Sequence, residues 1–141
     1  LPRAFGNTEM TKYGNCVIDP KQAAVWEAPD RSRTVSPLIG PDECGADEMV
    51  TGLWILRPGE QSEPDIHPDA AEIYFVVCGE GRLLLGDEEY TVGKGMTIYI
   101  PRGVVHQTFN EGDEDLGYYF IFAPPPTGPP RQEAENWTKI Q

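Results

Sequence analysis

Two stretches of the chain carry most of its structural information: residues 95–110, GMTIYIPRGVVHQTFN, and residues 59–79, GEQSEPDIHPDAAEIYFVVCG. Both contain short runs rich in β-branched and aromatic residues, which favour strands. Glycine and proline stand between the runs and are typical of tight turns. The two stretches also hold both histidines of the chain, His67 and His106. They therefore predict short strands joined by tight turns, with the two imidazoles among them.

The same pattern continues on either side of these stretches. Strand-length runs are predicted at 50–56, 72–78, 82–85, 89–92, 96–100, 104–110 and 117–122. The segments between them include Gly86-Asp87 and Gly112-Asp113, whose composition suits hairpin turns. A series of antiparallel strands of this kind predicts an all-β sandwich or barrel whose edges are closed or paired.

Length and composition predict a single domain with three parts. The chain has 141 residues, of which 39% are hydrophobic, and this is enough apolar material for one packed core. We expect a polar N-terminal arm or flap over residues 1–48, the β-barrel over 49–123 and a proline-rich C-terminal tail over 124–141. Proline runs such as Pro124-Pro125-Pro126 cannot hold a strand ladder and predict an extended surface segment there.

Charge and cysteine content exclude several functional classes. The 11 Lys and Arg face 23 Asp and Glu, a net charge of −12, so a nucleic-acid partner is not expected. No apolar run approaches the roughly 20 residues of a membrane span, so no membrane partner is expected either. The three cysteines, Cys16, Cys44 and Cys78, form no C-x-x-C pair and no even set. This pattern indicates a reducing compartment and predicts a cytoplasmic protein.

The histidines point to a metal site. Asp65 and His67 lie two residues apart on an extended stretch, so their side chains point to the same face. Glu72 begins the next strand after a Pro-Asp-Ala-Ala turn, and His106 lies within another strand. Two imidazoles with one or two carboxylates, supplied by separate strands, are typical ligands of a divalent first-row metal.

At these residues the chain resembles the cupins, a superfamily of small β-barrels. The first cupin motif places glycine, His-x-His, glutamate and glycine at fixed spacings, and here it reads Gly59, Asp65-Ile66-His67, Glu72 and Gly79, with Asp65 in place of the first histidine. The second motif places glycine, Pro-x-Gly, histidine and asparagine, and it is matched in full. Its residues here are Gly95, Pro101-Arg102-Gly103, His106 and Asn110. The resemblance implies a double-stranded β-helix, or jelly roll, and a homodimer formed through an edge strand or the N-terminal arm.

The resemblance also implies one divalent metal ion held by His67, Glu72 and His106, with Asp65 at the fourth ligand position. If Asp65 binds, the two carboxylates favour Mn(II) or Fe(II); zinc and nickel are further candidates. If Asp65 turns away, the other three form the facial triad of two histidines and one carboxylate found in non-haem iron oxygenases. A third possibility is that the barrel has lost its metal and only binds a small molecule.

Further side chains are predicted to line the cavity. Tyr74 shares strand parity with Glu72 and is a candidate general acid or base, or else a core aromatic with a satisfied hydroxyl. An aromatic wall is predicted from Trp54, Tyr99, Tyr118, Phe120 and Phe122. No motif places an arginine at the site, although Arg57, Arg82 and Arg102 are candidates for binding a substrate carboxylate.

Three functions remain open, because one fold supports many chemistries. The leading hypothesis is a metal-dependent enzyme acting on a small polar or phenolic molecule, with Fe(II)-dependent dioxygenation as its chemistry. The second is a redox-neutral, metal-dependent isomerase, cyclase, aldolase or lyase. The third is a non-catalytic, sugar-type small-molecule binding protein. Oxygen consumption separates the first from the second, and mutation of His106 separates both from the third.

Overall fold

Antiparallel strands dominate residues 12–141, the part of the chain that the computed structural model describes. In chain order the strands are β1 Trp26–Glu27, β2 Arg33–Ile39, β3 Val50–Leu56, β4 Ala71–Cys78, β5 Glu80–Leu85, β6 Glu88–Gly93, β7 Thr97–Ile100, β8 His106–Phe109, β9 Leu116–Ala123 and β10 Thr138–Lys139. The two α-helices of this range are α1 Pro41–Cys44 and α2 Arg131–Ala134, and 3-10 turns occur at Gly14–Cys16 and Pro20–Gln22. No helix in these residues is long and apolar enough to cross a membrane.

The strands form two sheets. The larger has the order β10-β1-β2-β3-β9-β4-β7, and the smaller has the order β6-β5-β8. Each of the seven predicted strands corresponds to an observed one, from β3 to β9. The predicted all-β class is therefore confirmed.

The core lies between the two sheets. Val76 of β4 and Leu116 and Tyr118 of β9 come from the large sheet, whereas Leu83 of β5 and Val92 of β6 come from the small one. All five are buried, and Trp54, Tyr74 and Ile98 pack against them. Burial of these apolar side chains stabilises the contact between the sheets.

Strand parity decides which residues line the interior. On β4, Glu72 and Val76 are buried, whereas Phe75 is exposed. Tyr99 of β7 lies opposite Ile73, not opposite an inward residue, and it is exposed. The prediction that Tyr99 lines the barrel was therefore wrong, because its neighbours Ile98 and Ile100 take the inward positions of that strand.

Parts of the predicted arm and tail lie in the large sheet. The strand β2 pairs with β3 along its length, with a register shift between Pro37 and Ile39. The proline and Arg33 hide this strand in the sequence, since proline is tolerated in sheets mainly at bulges and edges. From the tail, β10 pairs with β1 through Trp26 and Lys139. Residues 1–11 of the predicted arm lie outside the described range.

Candidate metal centre

The backbone holds two of the predicted ligand residues side by side. His106 begins β8, and its N–H donates to the carbonyl oxygen of Asp65 at 2.9 Å; the N–H of Asp65 donates back to His106 at the same distance. His67 is held from another side, because the N–H of Gly103 donates to its carbonyl oxygen at 3.0 Å. Gly103 has φ of 74°, a left-handed conformation that favours glycine. The Pro-Arg-Gly turn thus positions both histidines.

Glu72 reaches the same point from the large sheet. On β4 it lies opposite Ile100 of β7 and Phe122 of β9. Its Oε1 is 3.3 Å from Nε2 of His106 and 3.7 Å from Nε2 of His67. Nε2 of His67 is in turn 3.4 Å from Oδ2 of Asp65. The structure therefore brings all four predicted ligand residues together between the two sheets.

Two polar atoms at the centre of this cluster are buried without a partner. Glu72 is 4% exposed and His106 is 3% exposed. Neither Oε1 of Glu72 nor Nε2 of His106 has a hydrogen-bond partner among residues 12–141. An unpartnered buried carboxylate is costly in free energy, and a divalent cation coordinated by both atoms removes that cost.

The imidazole of His106 is oriented for metal binding. Its Nδ1 lies 3.0 Å from the carbonyl oxygen of Val104. A carbonyl only accepts, so Nδ1 carries the proton and donates, and Nε2 keeps a free lone pair. This backbone contact fixes the ring orientation in the way that histidine ligands usually require.

Burial and mutual contact shift the pKa values of the central pair. Burial raises the pKa of Glu72, and the nearby imidazoles offset only part of this effect. Burial alone lowers the pKa of His106, but the Glu72 carboxyl and the Val104 carbonyl raise it above its ordinary value. A divalent cation at this point would favour the ionised carboxyl and the neutral imidazole, which are the forms that bind metal. The donor types, their burial and the two unpartnered atoms fit a divalent metal ion.

Asp65 forms an ion pair with an arginine that the sequence motifs do not predict. Nη2 of Arg131, from α2, donates to Oδ2 of Asp65. Burial alone raises the pKa of Asp65, but His67 and the charge of Arg131 outweigh it and hold this pKa well below its ordinary value. Asp65 is thus an ionised carboxylate shared between Arg131 and the cluster. Arg131 follows a proline-rich segment with no fixed spacing to either motif, so only the fold reveals its position.

The three arginines considered from the sequence have other contacts. Arg57 pairs with Glu27 at 2.7 Å. Arg82 pairs with Glu89 at 2.7 Å and with Glu111 at 2.6 Å. Arg102 is exposed in the turn between β7 and β8. None of the three lines the cavity beside the cluster.

Aromatic side chains connect the cluster to the core. The rings of Tyr74 and Tyr118 stack with centroids 4.1 Å apart, and the ring of Tyr74 meets His106 edge to face at 6.0 Å. Phe122 meets the ring of His67 at 4.6 Å. Burial raises the pKa of the Tyr74 hydroxyl well above its ordinary value. The protonated phenol is therefore favoured, and in this form it can donate a proton or a hydrogen bond but cannot act as a base.

The chain is similar in sequence to several known proteins. The family model described as the cupin domain matches residues 52–122. The chain is similar to the polyketide synthase CurC of Streptomyces cyaneus, with 31% identity over 117 residues that cover 82% of this chain and 73% of the relative. It is also similar to oxalate oxidase 1 of Hordeum vulgare, with 43% identity over 114 residues, 75% of this chain but only 52% of the relative.

A solved structure shares the fold. The crystal structure of a predicted oxalate decarboxylase from Thermotoga maritima superposes with a TM-score of 0.66, covering 77% of this chain and 99% of that chain. The identity between the two is 18%. At this identity the likeness concerns the fold alone, and it supports the jelly-roll barrel predicted from the two motifs.

Proposed function

Because the chain belongs to the cupin family, we propose that it is a metal-dependent enzyme acting on a small polar or phenolic molecule, with Fe(II)-dependent dioxygenation as its reaction. The observation that carries this proposal is the pair of buried, unpartnered donor atoms on Glu72 and His106. Arg131 holds Asp65, so the donors left for the ion are two histidines and one carboxylate. Such a triad leaves coordination positions open.

The protein's own residues supply the surroundings of the reaction. When bound, the metal would provide a Lewis acid for substrate oxygen atoms and, as Fe(II), the electrons for reaction with O2. The same histidine and carboxylate ligands can also bind Mn(II), zinc or nickel. Phe122 and the stacked pair Tyr74 and Tyr118 place three aromatic rings beside the histidines, which limits the room for water there. A water-poor site strengthens the electrostatic interactions within it.

A second candidate function is redox-neutral catalysis, as an isomerase, cyclase, aldolase or lyase. Its support is the Tyr74 phenol, which stays protonated beside His106 and can donate a proton or hydrogen bond to a substrate oxygen. The match to a relative named a polyketide synthase, over 73% of that relative, favours a substrate with several keto or phenolic oxygens.

Metal content is the first test. The protein is stripped of metal and reconstituted separately with Fe(II), Mn(II), zinc and nickel, and the bound metal is counted by elemental mass spectrometry. We expect about one ion per chain in the wild type and in Lys94→Ala, an exposed turn variant, but none in His106→Ala. Binding of no metal by the wild type refutes the proposal.

The reaction is then assigned with loaded protein. Catechols and β-diketones are supplied under air and under argon, with O2 uptake and product followed together. Turnover that stops under argon and consumes O2 in proportion to product supports dioxygenation. Equal turnover in both gases supports the redox-neutral function, and its loss in Tyr74→Phe identifies the proton donor. Saturable binding without turnover indicates a binding protein.

Assembly and location are further proposals. A homodimer is supported by an apolar outer face of the large sheet, where exposed Phe75 and Tyr99 lie beside Ile73 and Ile121. Sedimentation of wild type and Phe75→Asp tests it, since the variant is expected to be monomeric. A cytoplasmic location is supported by the three cysteines, which are all free.

A further inference from the structure

Two arginine side chains border a small cavity next to the ligand cluster. The cavity has a volume of about 30 Å³, and Arg33, Asp65, Tyr74, His106 and Arg131 are among its lining residues. This is room for about two water molecules, which is close to the size of a carboxylate group and too small for a ring. The cavity is therefore a place where one charged group of a larger molecule can be held against the cluster.

Arg33 is a buried cation with little neutralisation. It is 5% exposed. Its Nη1 donates to the hydroxyl of Ser32 at 2.9 Å, and the same atom is 3.7 Å from the carboxylate of the largely exposed Asp30. On its other side the guanidinium lies 5.2 Å from the ring centroid of Trp137. A buried charge with such weak pairing creates a local preference for an anion.

Arg131 carries an anion already, since its guanidinium binds the carboxylate of Asp65. It also lies 3.6 Å from Glu135 on the side facing solvent. A substrate carboxylate offers the guanidinium the same kind of acceptor oxygen as Asp65 and can take its place there. Oδ2 of Asp65 already lies 3.4 Å from Nε2 of His67, so a carboxylate released from Arg131 has the histidine ligands beside it.

We propose that Arg33 and Arg131 form an anion-binding subsite which selects substrates carrying a carboxylate beside their metal-binding oxygen, and that this carboxylate displaces Asp65 from Arg131. The inference rests on the proposed function and narrows its substrate class. Glu63, the other acid bordering the cavity, is exposed to solvent and does not compensate the buried guanidinium of Arg33. With a net charge of −12, the rest of the protein repels anions, so the two arginines direct such a substrate to this cavity.

The test compares salicylate with its neutral isostere salicylamide. Binding is measured by isothermal titration calorimetry on zinc-loaded and on metal-free protein, for wild type, Arg131→Gln and Arg131→Lys. The matched control is Arg82→Gln, which removes the same charge from an ion-paired arginine on β5. Because charge-assisted hydrogen bonds are lost, we expect Arg131→Gln to weaken salicylate binding by about tenfold or more. Salicylamide binding should change less than about twofold, and Arg82→Gln should change neither.

The substitution Asp65→Asn is expected to change salicylate affinity in the opposite direction. If Asp65 competes with the substrate for Arg131, this variant binds salicylate more tightly than wild type, and the gain disappears in the double variant with Arg131→Gln. Unchanged salicylate binding in Arg131→Gln, or an equal loss for salicylate and salicylamide, overturns the inference. Failure of the wild type to bind zinc refutes the proposed function instead, and the metal-free titrations then still decide whether the arginines bind the anion.

Discussion

The segment from His106 to Asn110 has a buried polar side chain at each end, and the two differ in whether the protein satisfies their hydrogen bonds. Asn110 is buried, and its Nδ2 donates to the carbonyl oxygens of Leu56 at 2.9 Å and Glu114 at 2.8 Å, while its Oδ1 accepts from Gly112 at 3.1 Å. Thr108, between them, pairs with the hydroxyl of Tyr118 at 3.1 Å. His106 leaves Nε2 unpartnered against Glu72. The protein satisfies the polar groups at one end by itself, whereas at the other end it leaves two donor atoms for the proposed cation.

This difference separates stability from function within one motif. A buried polar group that the fold fully satisfies contributes to a single native structure. A group left unsatisfied by the same fold costs stability and persists where a ligand uses it. Asn110 and His106 should therefore respond differently to mutation, although they are equally buried and four residues apart.

The largest expected effect is the loss of metal affinity in His106→Ala. Removing one of three ligands should weaken zinc binding by about a thousandfold, since even loss of a supporting contact to a ligand costs 10- to 100-fold. Competition titration against a chromophoric chelator measures this change. In Asn110→Ala, any folded protein should keep its zinc affinity within about threefold, because no ligand is removed. Comparable losses in both variants would mean that the two ends are not separate.

Global stability should show the reverse order. Asn110→Ala removes three hydrogen bonds, one of them a buried bond to the carbonyl oxygen of Leu56, so we expect a loss of about 3 kcal/mol in the free energy of unfolding. Urea denaturation of the metal-free protein measures it. His106→Ala under the same conditions should lose less than about 1 kcal/mol, because it also removes an unpartnered buried group. A larger loss in His106→Ala than in Asn110→Ala contradicts the comparison.

A matched pair of substitutions sharpens the contrast further. Glu72→Met keeps the length of the side chain and removes a buried, unsatisfied carboxyl, so metal-free protein should gain about 1 kcal/mol of stability. Thr108→Val keeps shape but leaves the Tyr118 hydroxyl without its partner, and it should lose about 1 kcal/mol. Added zinc should stabilise wild type but not Glu72→Met. Thermal unfolding with and without zinc distinguishes these outcomes.

The sequence predicted those residues of the site that belong to the two motifs. His67, Glu72 and His106 could be predicted to lie together because each stands at a fixed distance from a turn glycine. Strand parity then determines which face its side chain points to. Strand β2 was missed because Pro37 and Arg33 interrupt its apolar alternation. The aromatic content of β7 favours an interior position for Tyr99, but strand parity turns its side chain to the outer face.

Arg131 escaped prediction for a different reason. Its contact with Asp65 joins residues 66 positions apart in the sequence. The proline-rich segment between β9 and Arg131 shows no helical or strand periodicity that would predict where Arg131 lies. The position of Arg131 depends on the path of the chain between β9 and β10, and the pairing of β10 with β1 fixes the end of that path. Sequence spacing informs local geometry and motif positions, whereas this contact is set by tertiary packing.

The smallest expected effect concerns the pH dependence of the Asp65–Arg131 pair. The pKa of Asp65 is lower in the folded state than its ordinary value of 3.8. A depressed carboxyl pKa stabilises the fold fully above the unfolded pKa, and this contribution is lost as the pH falls below about 4 towards the folded value. Asp65→Asn should therefore cost about 1 kcal/mol at pH 6 and progressively less towards pH 3. Urea denaturation of metal-free wild type and variant across this range measures the difference. In an Arg131→Gln background the difference should shrink at every pH without vanishing, since His67 also lowers the pKa of Asp65. An undiminished difference there would place the stabilising partner of Asp65 in His67 rather than in the tail.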